Sequence, residues 1–271
     1  MKIAAIIIVY NPDLGEVTKN LRSILPFVDE VIIWKNSPHS IPLPEDYQHK
    51  ILVMGNGMNK FIAEPLNKAI RYCNEQGYDY LLTMDQDSTW IDLGGFLKKV
   101  RGLNSENVVI YSPNINNAIE SEYSQCEVQS VITSGALHNV QIVDKLGGFR
   151  EDYEIYWVDG EFCYWARYNG FKVIVLTEFE LIHRLGNVKR KVLGIAASNY
   201  SPTVYYYLVR NMLWMRREFA KGVSVKTILH TLKFHVTAII LSENRKFTKL
   251  YKIIRAFNDG LFGRFEKRKS I

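Results

Sequence analysis

Tyr80-Leu81-Leu82-Thr83-Met84-Asp85-Gln86-Asp87-Ser88 is an apolar run that ends in two carboxylates one residue apart. The run reads as a buried strand over 80–84, and the acidic pair falls where the strand gives way to a turn. In open α/β sheets, ligands bind outside the carboxyl ends of the strands. Mg²⁺ takes one or two protein carboxylates and fills its remaining positions with water and phosphate oxygens, so Asp85 and Asp87 suit a cation that carries a diphosphate. Asp-x-Asp is too short to be specific alone, and its meaning depends on what surrounds it.

Working outward, apolar runs at 2–9, 30–34, 50–54 and 107–112 read as further strands, and helical periodicity lies between them. Val17, Leu21, Ile24 and Leu25 form one face of a helix after the first strand; Ile62, Leu66, Ala69, Ile70 and Cys73 form another before the strand at 80–84. This alternation predicts an α/β fold with a mostly parallel central sheet flanked by helices. Tyr10-Asn11-Pro12, Lys35-Asn36-Ser37 and Asp85-Gln86-Asp87 fall at three strand ends and are expected to converge on one crevice. Neither a G-x-G-x-x-G nor a Walker loop is present, which argues against dinucleotide enzymes and P-loop NTPases. The lack of a Gly-rich phosphate loop near residue 10 also counts against nucleotidyl transfer.

The 271 residues are 47% hydrophobic and 13% aromatic, enough for a substantial core. Cys73, Cys126 and Cys163 have neither disulfide-framework nor zinc-ligand spacing, and a reducing cytosol is the simplest home. Ile3 to Val9 lacks a signal-peptide cleavage site, and no window reaches the roughly 20 apolar residues needed to span a bilayer.

Charge is unevenly placed. Residues 1–183 carry 15 Lys+Arg against 24 Asp+Glu, net −9; residues 184–271 carry 19 against 4, net +15. Such a split predicts a basic part that meets an anionic surface. No zinc-finger or RNP-type motif supports nucleic acid as that surface. Val225, Ile228, Leu229, Leu232, Val236, Ile239 and Ile240 recur at helical spacing, followed by Arg245, Lys246, Lys249, Lys252 and Arg255. The expectation is an interfacial helix with a basic flank on an anionic membrane, against the alternative of a helix packed on its own domain.

Several ordered blocks extend the pattern: Val9-Tyr10-Asn11-Pro12, Asn36-Ser37, Asn59 with Leu66-Asn67, Asp85-Gln86-Asp87-Ser88 and Ser134-Gly135. Further on come Gly147-Gly148-Phe149, Val158-Asp159-x-Glu161-Phe162-Cys163, His183-Arg184-Leu185-Gly186, Tyr205-Tyr206 with Arg210-Asn211, and Asp259-Gly260-Leu261-x-Gly263. From about residue 3 to residue 265 the chain resembles inverting family 2 glycosyltransferases of the GT-A fold, with a pattern nearest that of bacterial rhamnosyltransferases.

The resemblance implies a domain over 1–200 that binds a nucleotide sugar and carries catalysis, and a helical extension over 201–271 that faces a membrane or partner. It implies a divalent cation, Mg or Mn, near Asp85, Asp87 and His183; a nucleotide pocket lined by Val9, Tyr10, Asn11, Asn36, Asn59, Asn67, Asp85 and Gln86; and Arg210 toward a phosphate. Asp159 falls at the family's general base, with helix capping as its plainer reading, and Glu161 either supports that base or is a solvated helix residue. The implied donor is a nucleotide-diphosphate sugar, dTDP-rhamnose first and a UDP- or GDP-hexose second; the acceptor is a surface glycan, often polyprenyl-linked. A non-catalytic nucleotide-sugar-binding subunit is the competing reading, since Lys35, Phe61, Pro65 and Trp165 depart from the family's usual residues. The implied location is peripheral, at the cytoplasmic face of the cell membrane, and a homodimer is left open.

Overall fold

The computed structural model describes residues 1–41, 43–103, 106–183, 190–192, 195–219 and 222–268, with the backbone alone for 190–192 and 195–197. Arg184, Leu185 and Gly186 lie outside the described residues. The chain divides into two compact units: Met1–Glu151 with Phe162–His183, and Asp152–Glu161 with Arg184–Ile271.

The first unit opens with β1 (Ile3–Val9), α1 (Leu14–Ile24), β2 (Glu30–Lys35), β3 (Ile51–Met54), α2 (Ala63–Glu75) and β4 (Tyr80–Asp85). It continues through β5 (Ser88–Trp90), α3 (Leu93–Arg101), β6 (Val108–Ile115), β7 (Gln125–Glu127), β8 (Ala136–Asn139) and α4 (Val140–Lys145). After α5 (Val158–Tyr168), in which the division falls between Glu161 and Phe162, β9 (Lys172–His183) ends the unit.

The expected strands and helices form within one to three residues of their predicted ends. β1 and β4 are almost continuously buried, as strands covered on both faces must be. Val17, Leu21 and Ile24 of α1 pack with Ile3, Ile7, Leu82 and Met84 in one core cluster. Asp13 starts α1 by accepting from Gly15 N and Glu16 N, satisfying donors that have no partner within the helix.

The sheet is mostly parallel, as expected, and also carries short antiparallel strands. Its order is β3-β2-β1-β4-β8-β6-β9-β5, with β7 pairing on β9. β1, β2, β3 and β4 pair in parallel, as do β6 and β9, but β8 runs antiparallel to β4 and β6, and β5 and β7 run antiparallel to β9. β1, β2, β3, β4, β6 and β9 therefore run in one direction, and the short strands β5, β7 and β8 run against them. β8 and β5 are short strands, too short to announce direction or pairing through periodicity.

The second unit holds β10 (Arg190–Val192) and β11 (Ile195–Ala197), an antiparallel pair, then α6 (Pro202–Glu218), α7 (Val225–Ser242) and α8 (Lys246–Phe262). Gly260 lets α8 sit close on α6: a β-carbon there would stand 2.6 Å from Leu213 Cδ1. Arg217 Nη1 donates to the carbonyls of Gly260 and Gly263, satisfying acceptors at the end of α8.

The expected stripe on α7 is divided. Ile228 and Ile239 are buried, whereas Val225, Leu229 and Ile240 are exposed. Lys249 does not belong to an exposed basic flank. It is 1% exposed, with Nζ 2.8 Å from Glu243 Oε2 and 2.7 Å from Asn199 Oδ1. Glu243 Oε1 in turn accepts from Tyr205 Oη and Asn199 N, so both charges are buried with their hydrogen bonds made. Among the described residues, no helix is long and apolar enough to cross a membrane.

Candidate active site

Three loops meet at the carboxyl edge of β1, β2 and β4. Tyr10 N donates to Gln86 Oε1 at 2.9 Å, and Gln86 Nε2 returns a bond to the Tyr10 carbonyl at 3.2 Å. The Gln86 carboxamide thus ties the end of β1 to the turn after β4. Asn11, with φ 45°, donates its N–H to Ser37 Oγ at 3.0 Å, linking the loop after β1 to the loop after β2. The convergence expected from the strand ends is present.

Asp85 closes β4, Asp87 sits in the turn, and Ser88 begins β5. Antiparallel pairing of β5 with β9 sets Ser88 opposite His183. That register carries an imidazole from distant sequence to the two carboxylates. One ligand atom from each of Asp85, Asp87 and His183 lies within 4.8 Å of the others. Atoms bound to one Mg²⁺ at about 2.1 Å stand about 3–4 Å apart, so small side-chain adjustments would close this set on a cation. Two carboxylate oxygens and one imidazole nitrogen suit Mg²⁺ or Mn²⁺.

The support around these three side chains is built from buried hydroxyls and amides. Ser88 Oγ lies 2.8 Å from His183 Nδ1 and 2.6 Å from Ser134 Oγ, with both serines buried. The same Nδ1 stands 3.8 Å from Asp85 Oδ2, so the Ser88 contact fixes the orientation of the ring beside the carboxylates. Gly135, at φ 75°, donates its N–H to the Thr83 carbonyl; a β-carbon there would stand 2.8 Å from Leu181 Cδ2. Only glycine combines that conformation with that approach, and it delivers Ser134 to the site. Asn20 Nδ2, from α1, holds the Asp85 carbonyl at 2.8 Å. Asn116 clasps His183 on both sides, donating to its carbonyl at 2.8 Å and accepting from its N–H at 2.9 Å. Sequence reasoning missed Asn20 and Asn116. A polar residue on the buried stripe of α1 was the available signal for the first, and the second carried none.

The other nucleotide-pocket residues fall into two groups. Val9 is buried, its carbonyl accepting from Asn36 N, while Tyr10 is half exposed at the crevice. Asn36 is buried, accepting from Trp34 Nε1 and Lys60 N and donating to the Phe61 carbonyl. Asn59 caps its own turn by accepting from Phe61 N, in a segment where Phe61 takes φ 54°. Asn67 bonds both the N–H and carbonyl of Phe149 and lies against Gly148. Asn36, Asn59 and Asn67 thus shape backbone.

In the second unit, Asp159 sits in the first turn of α5, one residue inside its start, where a carboxylate gains from the helix dipole. The segment before it is strained: Glu154, Tyr156 and Trp157 have φ of 57°, 64° and 64°. Asn211 Nδ2 reaches three carbonyls in that segment, those of Tyr153, Ile155 and Tyr156, at 2.8–2.9 Å. Arg210 orients Asn211 by donating to its Oδ1, and also donates to the Asp152 carbonyl. Its guanidinium carbon lies 4.0 Å from the Trp214 ring centre. Arg210 is buried. Glu161 is likewise not solvated: it is fully buried in a two-point pair with Arg268, at 2.7 and 2.8 Å.

No family model matches the chain. It is 26% identical over 96% of its length, and 96% of the relative's, to dTDP-rhamnosyl transferase RfbF of Shigella flexneri. Among solved structures, S. aureus TarS 1–349 matches at TM-score 0.61 and 16% identity, over 97% of this chain and 81% of that one. The mannosyltransferase PcManGT from Pyrobaculum calidifontis, in complex with GDP-Man and Mn²⁺, matches at TM-score 0.58 and 13% identity, over 97% and 76%. The chain is a GT-A glycosyltransferase. GalNAc-T7, solved with UDP, GalNAc and Mn²⁺, matches the transferase at TM-score 0.58 and 10% identity, over 95% of this chain and 58% of that one. At these identities the solved structures establish the transferase's fold.

Proposed function

We propose that this glycosyltransferase uses a divalent cation and inverts configuration, moving L-rhamnose from dTDP-rhamnose to a hydroxyl of a growing surface glycan, as a family 2 enzyme does. The similarity to a dTDP-rhamnosyl transferase along nearly the whole chain is the observation that carries the donor. The Asp85, Asp87 and His183 set supports the cation. When bound there, the cation supplies Lewis-acid stabilisation of the charge that builds on the departing diphosphate. The residues that hold it fix its place through Ser88, Ser134, Asn20 and Asn116.

Asp159 acts as the general base. Its carboxylate takes the proton of the acceptor hydroxyl as that oxygen bonds to the anomeric carbon, and the bond from that carbon to dTDP breaks on the opposite face. Its electron pair leaves with the nucleotide. Arg210 and Asn211 hold the strained segment leading to Asp159. Tyr10 and Asn11, fixed by Gln86 and Ser37, present the nucleotide-facing backbone.

Two substitutions test this reading. Asp159→Asn should lower transfer by about 10²–10⁴-fold while donor binding, followed by thermal shift with Mn²⁺ or Mg²⁺, is kept. Asp87→Ala should weaken cation and donor binding together. Full turnover in the Asp159→Asn variant would remove Asp159 from the chemistry. A thermal response to UDP- or GDP-hexoses, with none to dTDP-rhamnose, would replace the donor.

A further inference from the structure

α8 is apolar on two opposite sides. Advancing about 100° per residue, Lys249, Ile253, Ala256 and Gly260 line one side of the helix, and all four are buried. Phe247, Tyr251, Ile254 and Leu261 line the other, with Phe262 at its margin. Their exposures run from 39% for Leu261 through 61% and 67% for Tyr251 and Ile254 to 90% for Phe247, with 82% for Phe262. The inner row satisfies the packing of the helix within its unit. Packing therefore does not account for the outer row. This apolar face is interrupted only by the exposed Asn258, and an exposed face so rich in large apolar side chains marks an interaction site.

Charge decides what the face meets. Between Arg245 and Arg268 stand eight Lys+Arg and two Asp+Glu. Arg245, Lys246, Arg255, Arg264 and Lys267 are exposed. Arg255 flanks the outer row directly, while Asp259 lies 3.6 Å from Arg255 and accepts from Tyr206 Oη, which offsets its charge. A second copy would bring the same cationic face against this one, and repulsion would oppose the contact. An anionic lipid surface accepts both features at once: aromatic and branched side chains enter the boundary between headgroups and acyl chains while the arginines and lysines meet phosphates.

We propose that the outer face of α8 docks the protein on an anionic lipid surface, with Phe247, Tyr251, Ile254, Leu261 and Phe262 as the inserting residues. The sequence assigned insertion to α7 and only charge to the segment after it. The proposal moves insertion to α8. It stands independently of the donor and of Asp159.

The test is co-sedimentation of the full-length protein with vesicles of phosphatidylglycerol and phosphatidylcholine, against vesicles of phosphatidylcholine alone. The triple variant Phe247→Ser, Ile254→Ser, Phe262→Ser changes exposed apolar positions only and leaves every charge in place. Wild type should bind the anionic vesicles and not the neutral ones. The variant should bind about tenfold or more weakly, with unchanged melting temperature and unchanged hydrolysis of whichever nucleotide sugar the wild type turns over. Equal vesicle binding by the two proteins would overturn the proposal by showing that charge alone attracts. Absence of vesicle binding, together with a wild-type dimer that the triple variant dissolves in light scattering, would overturn it in favour of a second copy.

Discussion

Ser88 connects chemistry to framework through one hydroxyl. It touches His183 Nδ1 on one side and Ser134 Oγ on the other, and no solvent competes, because the residue is 1% exposed. An imidazole that joins a cation needs its ring orientation fixed, and groups that orient a ligating ring commonly matter 10- to 100-fold in metal affinity. Ser88→Ala should therefore weaken Mn²⁺ binding by about tenfold or more, measured by calorimetry on the purified protein. The fold should be retained, since the change removes one small group from a buried position. An unchanged Mn²⁺ affinity would mean that Ser88 does not orient the ring. Asp85 and Asp87 differ from Ser88 in kind: their loss removes ligand atoms, and no relaxation of the ring replaces them.

At the scale of elements, what could be read from the sequence divides by the range of the signal. β1, β2, β4 and the faces of α1 and α2 were legible because burial on both faces of a strand, or on one stripe of a helix, leaves a local record in residue order. The acidic pair was legible for the same reason, as a polar break at the end of an apolar run. His183 was visible by resemblance alone. Its place beside the carboxylates depends on the pairing of β5 with β9, and Ser88 and His183 are 95 residues apart. The direction of β8 was hidden for a related reason, since Ala136 to Asn139 is too short to carry periodicity. Lys249 misled because charge runs usually mark solvated faces. Its partner Glu243 lies six residues earlier, on the far side of a turn, and only the packing of α7, α8 and α6 makes the pair. The burial of Arg210 was hidden in the same way, because a helix position does not reveal that three aromatic rings surround a guanidinium.

On the scale of the whole molecule, the second unit is assembled from distant pieces of chain, and one ion pair joins them. Residues Asp152–Glu161 belong to a unit whose remainder begins at Arg184. Glu161 meets Arg268 across 107 residues of sequence, and Arg268 also donates its backbone N–H to Glu218 Oε1. Burial makes the pair costly to break: taking away the guanidinium strips a carboxylate with no exposed surface of its two-point partner. Arg268→Ala should lower unfolding free energy by about 3–5 kcal/mol, read by urea denaturation. Adding Glu161→Gln should restore a large part of that loss, because a neutral amide is less costly than a carboxylate to keep buried once the guanidinium is gone. A cycle of the two single variants and the double isolates the coupling. If the double variant is as unstable as the sum of the singles, the two side chains act separately, and the joining of these chain segments rests on the Arg210 and Asn211 hydrogen bonds and the packing around them.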